Sequence, residues 1–94
     1  MKLVITRHPA LVEYFLEIGL IRQGEYKLIA HATLDDVRGQ HVIGVLPLAL
    51  ASQTASLTEI PLTLPAEMRG KELTIEDIRQ FAGSPATYQI WKVA

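Results

Sequence analysis

Two short apolar segments of this chain end in an X-Pro dipeptide, and a helical pattern follows each of them. Residues 2–6 lead into His8-Pro9, and residues 41–45 lead into Leu46-Pro47. Proline suits the start of a helix, because its fixed φ matches the helix and its missing N–H would be unpaired there. Apolar strands that alternate with helices are typical of a parallel sheet covered on both faces. The sequence therefore predicts an α/β fold.

Short runs of apolar and β-branched residues predict where the strands lie. They cover 2–6, 26–32, 41–45, 56–60 and 88–93, the last of them a half-buried edge strand. Because these runs are short and alternate with helices, we expect a small Rossmann-like sandwich, with a mostly parallel sheet and helices on both faces. We expect residues 1–94 to form one domain.

Capping and turn residues predict where the helices begin and end and where the loops lie. A helix is predicted from Pro9 to a stop at Gly19, a second over 48–55, and a third from the cap residue Thr74 to a stop at Gly83. A loop or a single irregular turn is predicted over 65–72. The remaining polar turn contains Asp35, Asp36 and Gly39.

The composition excludes several classes of function. Lys and Arg total 9 and Asp and Glu total 10, so the net charge is −1, whereas proteins that bind long nucleic acids normally carry a basic excess. The chain has no cysteine and 3 histidines without H-x-x-x-H spacing, so we expect no disulfide, no thiol nucleophile, no metal site and no cofactor. No apolar run approaches the ~18 residues of a membrane span, and no signal-peptide pattern opens the chain. We therefore expect a cytoplasmic protein without a membrane partner.

Several residues that could bind a ligand or take part in catalysis lie where the predicted parallel strands end. Ligands of open α/β sheets bind beyond the carboxyl ends of the strands, where the strand order reverses. The helix amino termini at Pro9 and Pro47 open at this edge and present N–H groups and partial positive charge to a phosphate. Arg7 adds a fixed cation. The strand ends deliver Thr6, Arg7, His8, His31, Gly44, Val45 and Leu46, so we predict an anion-binding pocket there.

Each of these residues also has an ordinary structural role as an alternative. Arg7 could form a salt bridge with Glu67 or Glu72, and His8 could serve only as a helix cap. His31 could be a packing residue at the end of a strand. His41 lies at the opposite edge of the predicted sheet and receives little functional weight, and Glu67, Arg69 and Glu72 could simply form a solvated turn.

Two further features bear on the class of protein. A strand that leads into Arg-His resembles the histidine phosphatases, in which Arg-His-Gly follows the strand and the histidine takes the phosphoryl group. Here Pro9 replaces that glycine, the chain is much shorter, and no second histidine has its own loop, so we do not adopt that interpretation. Tyr88 and Trp91 could form an apolar face through which so small and apolar a chain associates with itself.

Three segments, in order and spacing, resemble the small CRISPR-associated Csx family, member sixteen, which is found beside type III CRISPR systems. They are Thr-Arg-His-Pro at 6–9, Val-Ile-Gly-Val-Leu-Pro at 42–47, and the stretch from Leu to Leu at 64–73 that precedes an acidic helix start. The resemblance extends from Leu3 to about Ile78. The stretch 48–50 departs from it, because it lacks the polar residue expected soon after the second proline.

The resemblance implies a CARF-like domain that dimerises around a cyclic ligand, and a ring nuclease that cleaves cyclic tetra-adenylate, the second messenger of type III systems. Such cleavage needs no metal, because a ribose 2′-hydroxyl can attack the adjacent phosphodiester in line and leave a 2′,3′-cyclic phosphate. Arg7 and His8 are then the predicted catalytic residues. The predicted ligand contacts are Thr6, Pro9, His31, Gly44, Leu46, Pro47, Leu48, Glu67 and Arg69.

Cyclic tetra-adenylate and a second copy of the chain are the expected partners, in a homodimer or a higher homo-oligomer. One alternative is a protein with the same pocket that binds the cyclic nucleotide without cutting it, as a sponge or sensor. Another is a module that docks onto a second CRISPR protein through its last strand, with an empty pocket. A generic phosphatase is the remaining possibility.

Overall fold

A computed structural model describes all residues, 1–94, and shows one five-stranded sheet. The strands are β1 (Lys2–Ile5), β2 (Tyr26–Ile29), β3 (His41–Gly44), β4 (Ser56–Glu59) and β5 (Ala86–Tyr88). Their order is β2-β1-β3-β4-β5, and β5 alone runs antiparallel, against β4. The predicted small Rossmann-like sandwich with a mostly parallel sheet is confirmed.

Four α-helices and one 3₁₀ helix connect the strands. They are α1 (Pro9–Glu17), α2 (Leu34–Val37), α3 (Leu48–Ala51) and α4 (Ile75–Phe81), with the 3₁₀ helix at Ala66–Met68. The longest of them, α1, has 9 residues, and no helix has the length and apolar character needed to cross a membrane.

The predicted helix signals of α1 and α4 are confirmed. Pro9 is the first residue of α1, and Gly19 follows its end with a φ of +76°, which glycine adopts without a steric cost. At the start of α4, the Asp77 N–H donates to the Thr74 hydroxyl (3.2 Å) and the Asp77 carboxylate accepts from the Thr74 N–H (3.0 Å). This reciprocal pair is the capping box that the sequence predicts.

Helices cover both faces of the sheet, as predicted. Because side chains alternate along a strand, β1 sends Leu3 and Ile5 to one face and Val4 to the other. On the first face the core includes Val37 of α2 and Ala51 of α3, and on the second it includes Phe15 of α1. The second face also carries α4, which packs against α1.

Several predicted boundaries are wrong. The turn around Asp35 and Asp36 forms the short helix α2, because Thr33 and Asp36 make a second capping box. The helix predicted over 48–55 ends at Ala51, where the Thr54 hydroxyl donates to the Ala51 carbonyl (2.7 Å) and so competes with further helix. The parallel strands are also shorter than predicted, by one to three residues at their carboxyl ends.

The last strand lies earlier in the chain than the alternating pattern of 88–93 predicts. It spans Ala86–Tyr88, with Glu59 opposite Ala86 and Leu57 opposite Tyr88. Since β4 begins at Ser56, it offers no backbone partner for residues much beyond Tyr88. Trp91 consequently lies outside the sheet and is 81% exposed. The edge position of the strand is confirmed.

Candidate functional site

The strand order reverses between β1 and β3, which is where ligands bind in folds of this kind. The chain leaves β1 toward β2 on one side, and β3 returns to pair with β1 on the other. A cavity of about 360 Å³ opens at this point, and we call it the edge cavity. It is lined by Ile5, Thr6, Arg7, His8, Leu11, Phe15, Ala30, Gly44, Val45, Ile60 and Leu62.

Gly44 keeps the ends of β1 and β3 together at the edge cavity. Its φ is +150°, a conformation that other residues rarely adopt, and a Cβ built on it would lie 2.5 Å from the Ile5 carbonyl oxygen. That oxygen belongs to the backbone and cannot rotate away. A glycine is therefore required where the two strands meet beside the cavity.

A rigid turn presents Arg7 and His8 at the cavity. The Thr6 N–H donates to the Ile29 carbonyl (3.2 Å), and the His8 N–H donates to the Thr6 hydroxyl (3.1 Å). Pro9 disfavours the helical conformation for the residue before it, and His8 is extended, with φ −105° and ψ 105°. The backbone at both ends of the Arg7-His8 pair is thus held by hydrogen bonds and by proline.

Neither side chain of this pair has a structural partner. The ion pairs of the structure join Arg38 to Asp35 and Arg79 to Glu17, so the alternative that Arg7 pairs with Glu67 or Glu72 is wrong. His8 occupies the cap position of α1, but its side chain makes no capping hydrogen bond. The first turn of α1 also contains no acidic residue. A free guanidinium beside such a helix start favours an anionic ligand.

A second cavity, of about 620 Å³, is lined mostly by the segment that follows β4. We call it the loop cavity. It shares four residues with the edge cavity, namely Arg7, His8, Leu11 and Leu62. Its complete lining is Arg7, His8, Leu11, Leu62, Leu64, Met68, Gly70, Lys71, Glu72 and Leu73.

The structure brings together only some of the predicted site residues. Thr6, Arg7, His8 and Gly44 line the edge cavity. The other predicted contacts line neither cavity; they are Pro9, His31, Leu46, Pro47, Leu48, Glu67 and Arg69.

Physical reasons for these placements are visible in the fold. Leu46 packs against the core of the face that carries α2 and α3, whereas the edge cavity lies on the α1 side. Leu48, the first residue of α3, is 75% exposed and lines a separate groove with Trp91. Beside β2, Ala30 lines the edge cavity in place of His31. The two helix starts therefore do not converge on one pocket.

Lys71 and Glu72 are charged residues near this site that sequence reasoning missed. The sequence prediction favours Arg69 in this loop, but Lys71 and Glu72 line the loop cavity instead. The 3₁₀ helix ends just before Arg69, and Gly70 then turns the chain with a φ of +79°. The glycine at 70 is the signal that could have indicated this change of direction.

The groups whose pKa values are clearly shifted lie in structural contacts outside the two cavities. The Arg79 guanidinium, by hydrogen bonding, lowers the pKa of Glu17, and the same contact raises the pKa of Arg79. Hydrogen bonds from the Thr33 backbone and hydroxyl lower the pKa of Asp36. No group of three or more His, Cys, Asp or Glu side chains is arranged to hold a metal ion.

Comparison with known protein families shows to which family the chain belongs. A family model described as "Putative CRISPR-associated protein (Cas_VVA1548)" matches residues 3–91, which include every segment of the site described above. The chain belongs to the Cas_VVA1548 family. No curated protein and no solved structure matches it. The match of the Cas_VVA1548 family confirms a CRISPR-associated protein, and it extends beyond Ile78 through β5 to Trp91.

Proposed function

We propose that this Cas_VVA1548 protein is a ring nuclease that cleaves cyclic tetra-adenylate without a metal ion and so switches off type III CRISPR signalling. The observation that carries the proposal is the Arg7-His8 pair, which lines the cavity between β1 and β3 and has no carboxylate partner. Membership of a CRISPR-associated family supports a ligand from that system.

The proposed reaction is an internal transesterification. The ribose 2′-oxygen attacks the neighbouring phosphorus, the bond from phosphorus to the 5′-oxygen breaks, and a 2′,3′-cyclic phosphate forms. The proton of the 2′-hydroxyl passes to a base, the departing 5′-oxygen takes up a proton from water, and the protonated base then releases its proton to solvent. The protein has to hold the attacking and leaving oxygens in line and stabilise the charge that develops on the phosphoryl oxygens.

In this reaction Arg7 stabilises the developing charge and His8 acts as the base. The planar Arg7 guanidinium donates paired hydrogen bonds to the non-bridging oxygens, and it does so more strongly in the transition state, where their charge is larger. The His8 imidazole accepts the 2′-hydroxyl proton, because histidine is the side chain that most often serves as a general base. The hydrogen-bonded turn from Thr6 to Pro9 limits the backbone motion of both residues.

Two copies of the chain provide a symmetric site for this ligand. A ring of four nucleotides has a two-fold axis that a homodimer can share, so that each copy contacts an equivalent phosphate. Large apolar side chains remain exposed near α3, with Val45 at 78%, Leu48 at 75% and Trp91 at 81%. This exposure supports self-association.

Binding without cleavage is the second candidate function. The observation that favours it is that His8 is the only side chain of the edge cavity of a type that general acid–base catalysis commonly uses, because no carboxylate, lysine or tyrosine lines the cavity. A cavity with a single such group can hold a nucleotide phosphate without providing both a base and an acid.

Binding and cleavage of labelled cyclic tetra-adenylate, measured in excess EDTA for Arg7→Ala and His8→Ala, test the proposal. We expect Arg7→Ala to weaken binding by about ten-fold or more, because a charge-assisted hydrogen bond contributes ~1.5–3 kcal/mol. His8→Ala should slow cleavage more than it weakens binding. Arg22→Ala is the matched control, since it removes the same charge from a groove at the opposite edge of the sheet.

Two results would contradict these roles. Unchanged affinity in Arg7→Ala removes Arg7 from the site. Equal losses of binding and cleavage in His8→Ala make His8 a positioning residue. Binding by the unmodified chain without any cleavage supports the sponge or sensor, and no binding at all leaves docking onto another CRISPR protein as the better hypothesis.

A further inference from the structure

We propose that the edge cavity and the loop cavity hold two consecutive nucleotides of one strand, with the phosphodiester between them at Arg7 and His8. This inference rests on the proposed function and adds a recognition unit, a dinucleotide, and a further binding residue, Lys71. It follows from the way the two cavities share their walls.

Arg7 and His8 lie at the boundary between the two cavities, because they belong to the residues that line both. Arg7, His8, Leu11 and Leu62 each line both spaces. A ligand that fills both cavities therefore lies against Arg7 and His8 where its two parts join. In a nucleotide strand, the group that lies between two successive nucleosides is the phosphodiester, to which an arginine can donate paired, charge-assisted hydrogen bonds.

The size of the edge cavity limits what it can enclose. Its volume of about 360 Å³ is near the lower end of the ~300–1,000 Å³ typical of ligand pockets. This space suits one nucleotide rather than a ring of four. Apart from Arg7 and His8 its lining has no ionisable side chain, and Phe15, Ile60 and Leu62 provide apolar walls that suit a base.

The loop cavity combines an apolar wall with a second cation. Leu64, Met68 and Leu73 line it and can contact a base, and the Met68 thioether is well suited to an aromatic ring. Lys71 and Glu72 line it as well, and neither forms an ion pair in the structure. The Lys71 ammonium is therefore available to the next phosphate along the strand.

The assignment of Lys71 differs from the sequence prediction for the same loop. Arg69 carries the same charge two residues earlier, but it is exposed and lines neither cavity. The pair thus provides an internal comparison, in which only the residue that lines the loop cavity should affect the ligand.

Binding of short, uncleavable adenylates tests this inference. The probes are AMP, the dinucleotide ApA with a 2′-deoxy first sugar, and the same dinucleotide with one extra phosphate at its 5′ or its 3′ end. We expect the dinucleotide to bind about ten-fold or more tightly than AMP, a difference of ~1.4 kcal/mol. Lys71→Ala should weaken one of the two end-phosphorylated dinucleotides about ten-fold and leave the plain dinucleotide within about two-fold.

Matched variants separate binding from folding. Lys71→Arg should restore most of the affinity that Lys71→Ala loses, and Arg69→Ala should have a much smaller effect than Lys71→Ala. Arg22→Ala again controls for the loss of one positive charge at a distance. Thermal melting of each variant checks that the exposed Lys71 side chain is not needed for folding.

The outcomes distinguish this inference from the proposed function. If the chain cuts cyclic tetra-adenylate but binds the dinucleotides no better than AMP, or if Lys71→Ala changes nothing, the two-cavity inference is wrong and the ring nuclease stands. If the dinucleotides bind as expected but the ring is not cut, the cavities form a dinucleotide site and the nuclease proposal is wrong. If no adenylate binds, both are wrong.

Discussion

Gly44→Ala tests whether the close approach of β1 and β3 holds the site together. The new Cβ would lie 2.5 Å from the Ile5 carbonyl oxygen, and since such contacts are essentially never below 3.0 Å the two strand ends must move apart by about 0.5 Å. Backbone strain at this φ costs about 1–3 kcal/mol, and overpacking costs about 1–3 kcal/mol more. We therefore expect the free energy of unfolding to fall by about 2–6 kcal/mol.

Urea denaturation measures this loss. We expect a lower midpoint urea concentration and an unchanged slope of the free energy of unfolding against urea concentration. Gly39→Ala is the matched control, because Gly39 also has a positive φ (+70°) but a Cβ added there would meet nothing within 4 Å, so it reports backbone strain alone. That control should lose only about 1–2 kcal/mol. Equal losses in the two variants would refute the argument that the contact with Ile5 makes glycine necessary.

Two further predictions concern the helices on the α1 face. Ile78→Ala should lower the free energy of unfolding by about 2–5 kcal/mol, because Ile78 is fully buried. Gln80→Ala, at an exposed position of the same helix, should change it little. A small loss for Ile78→Ala in urea denaturation would contradict the burial of Ile78. The Arg79 hydrogen bonds lower the pKa of Glu17 below its ordinary 4.5, so their contribution is present above that pH and is lost as the pH falls through the folded-state pKa. The stability difference between the unmodified chain and Glu17→Gln should therefore shrink from neutral pH to about pH 3, and a difference that stays constant would argue against the ion pair.

Local signals in the sequence predict much of the fold. Pro9 and Gly19 delimit α1, and Thr74 with Asp77 begins α4, because each of these residues acts through its own backbone or its nearest neighbours. The position of the last strand could not be predicted in this way. Its extent depends on where β4 begins, at Ser56, which the alternation of residues 88–93 does not contain.

The candidate site was predictable only where it follows directly from a strand end. Arg7 and His8 come straight after β1, so the fold class alone brings them to the edge cavity. Leu46 fails to join them because it packs on the other face of the sheet. The choice of Lys71 over Arg69 depends on the turn at Gly70, a three-dimensional detail that residue type does not reveal.

The product of the reaction tests the central claim most directly. The measurement is the mass of the species formed when the unmodified chain is incubated with cyclic tetra-adenylate in excess EDTA. We predict linear adenylates that end in a 2′,3′-cyclic phosphate and a free 5′-hydroxyl. Intact ring, or cleavage that appears only when a divalent metal is restored, would contradict the in-line 2′-hydroxyl mechanism at Arg7 and His8.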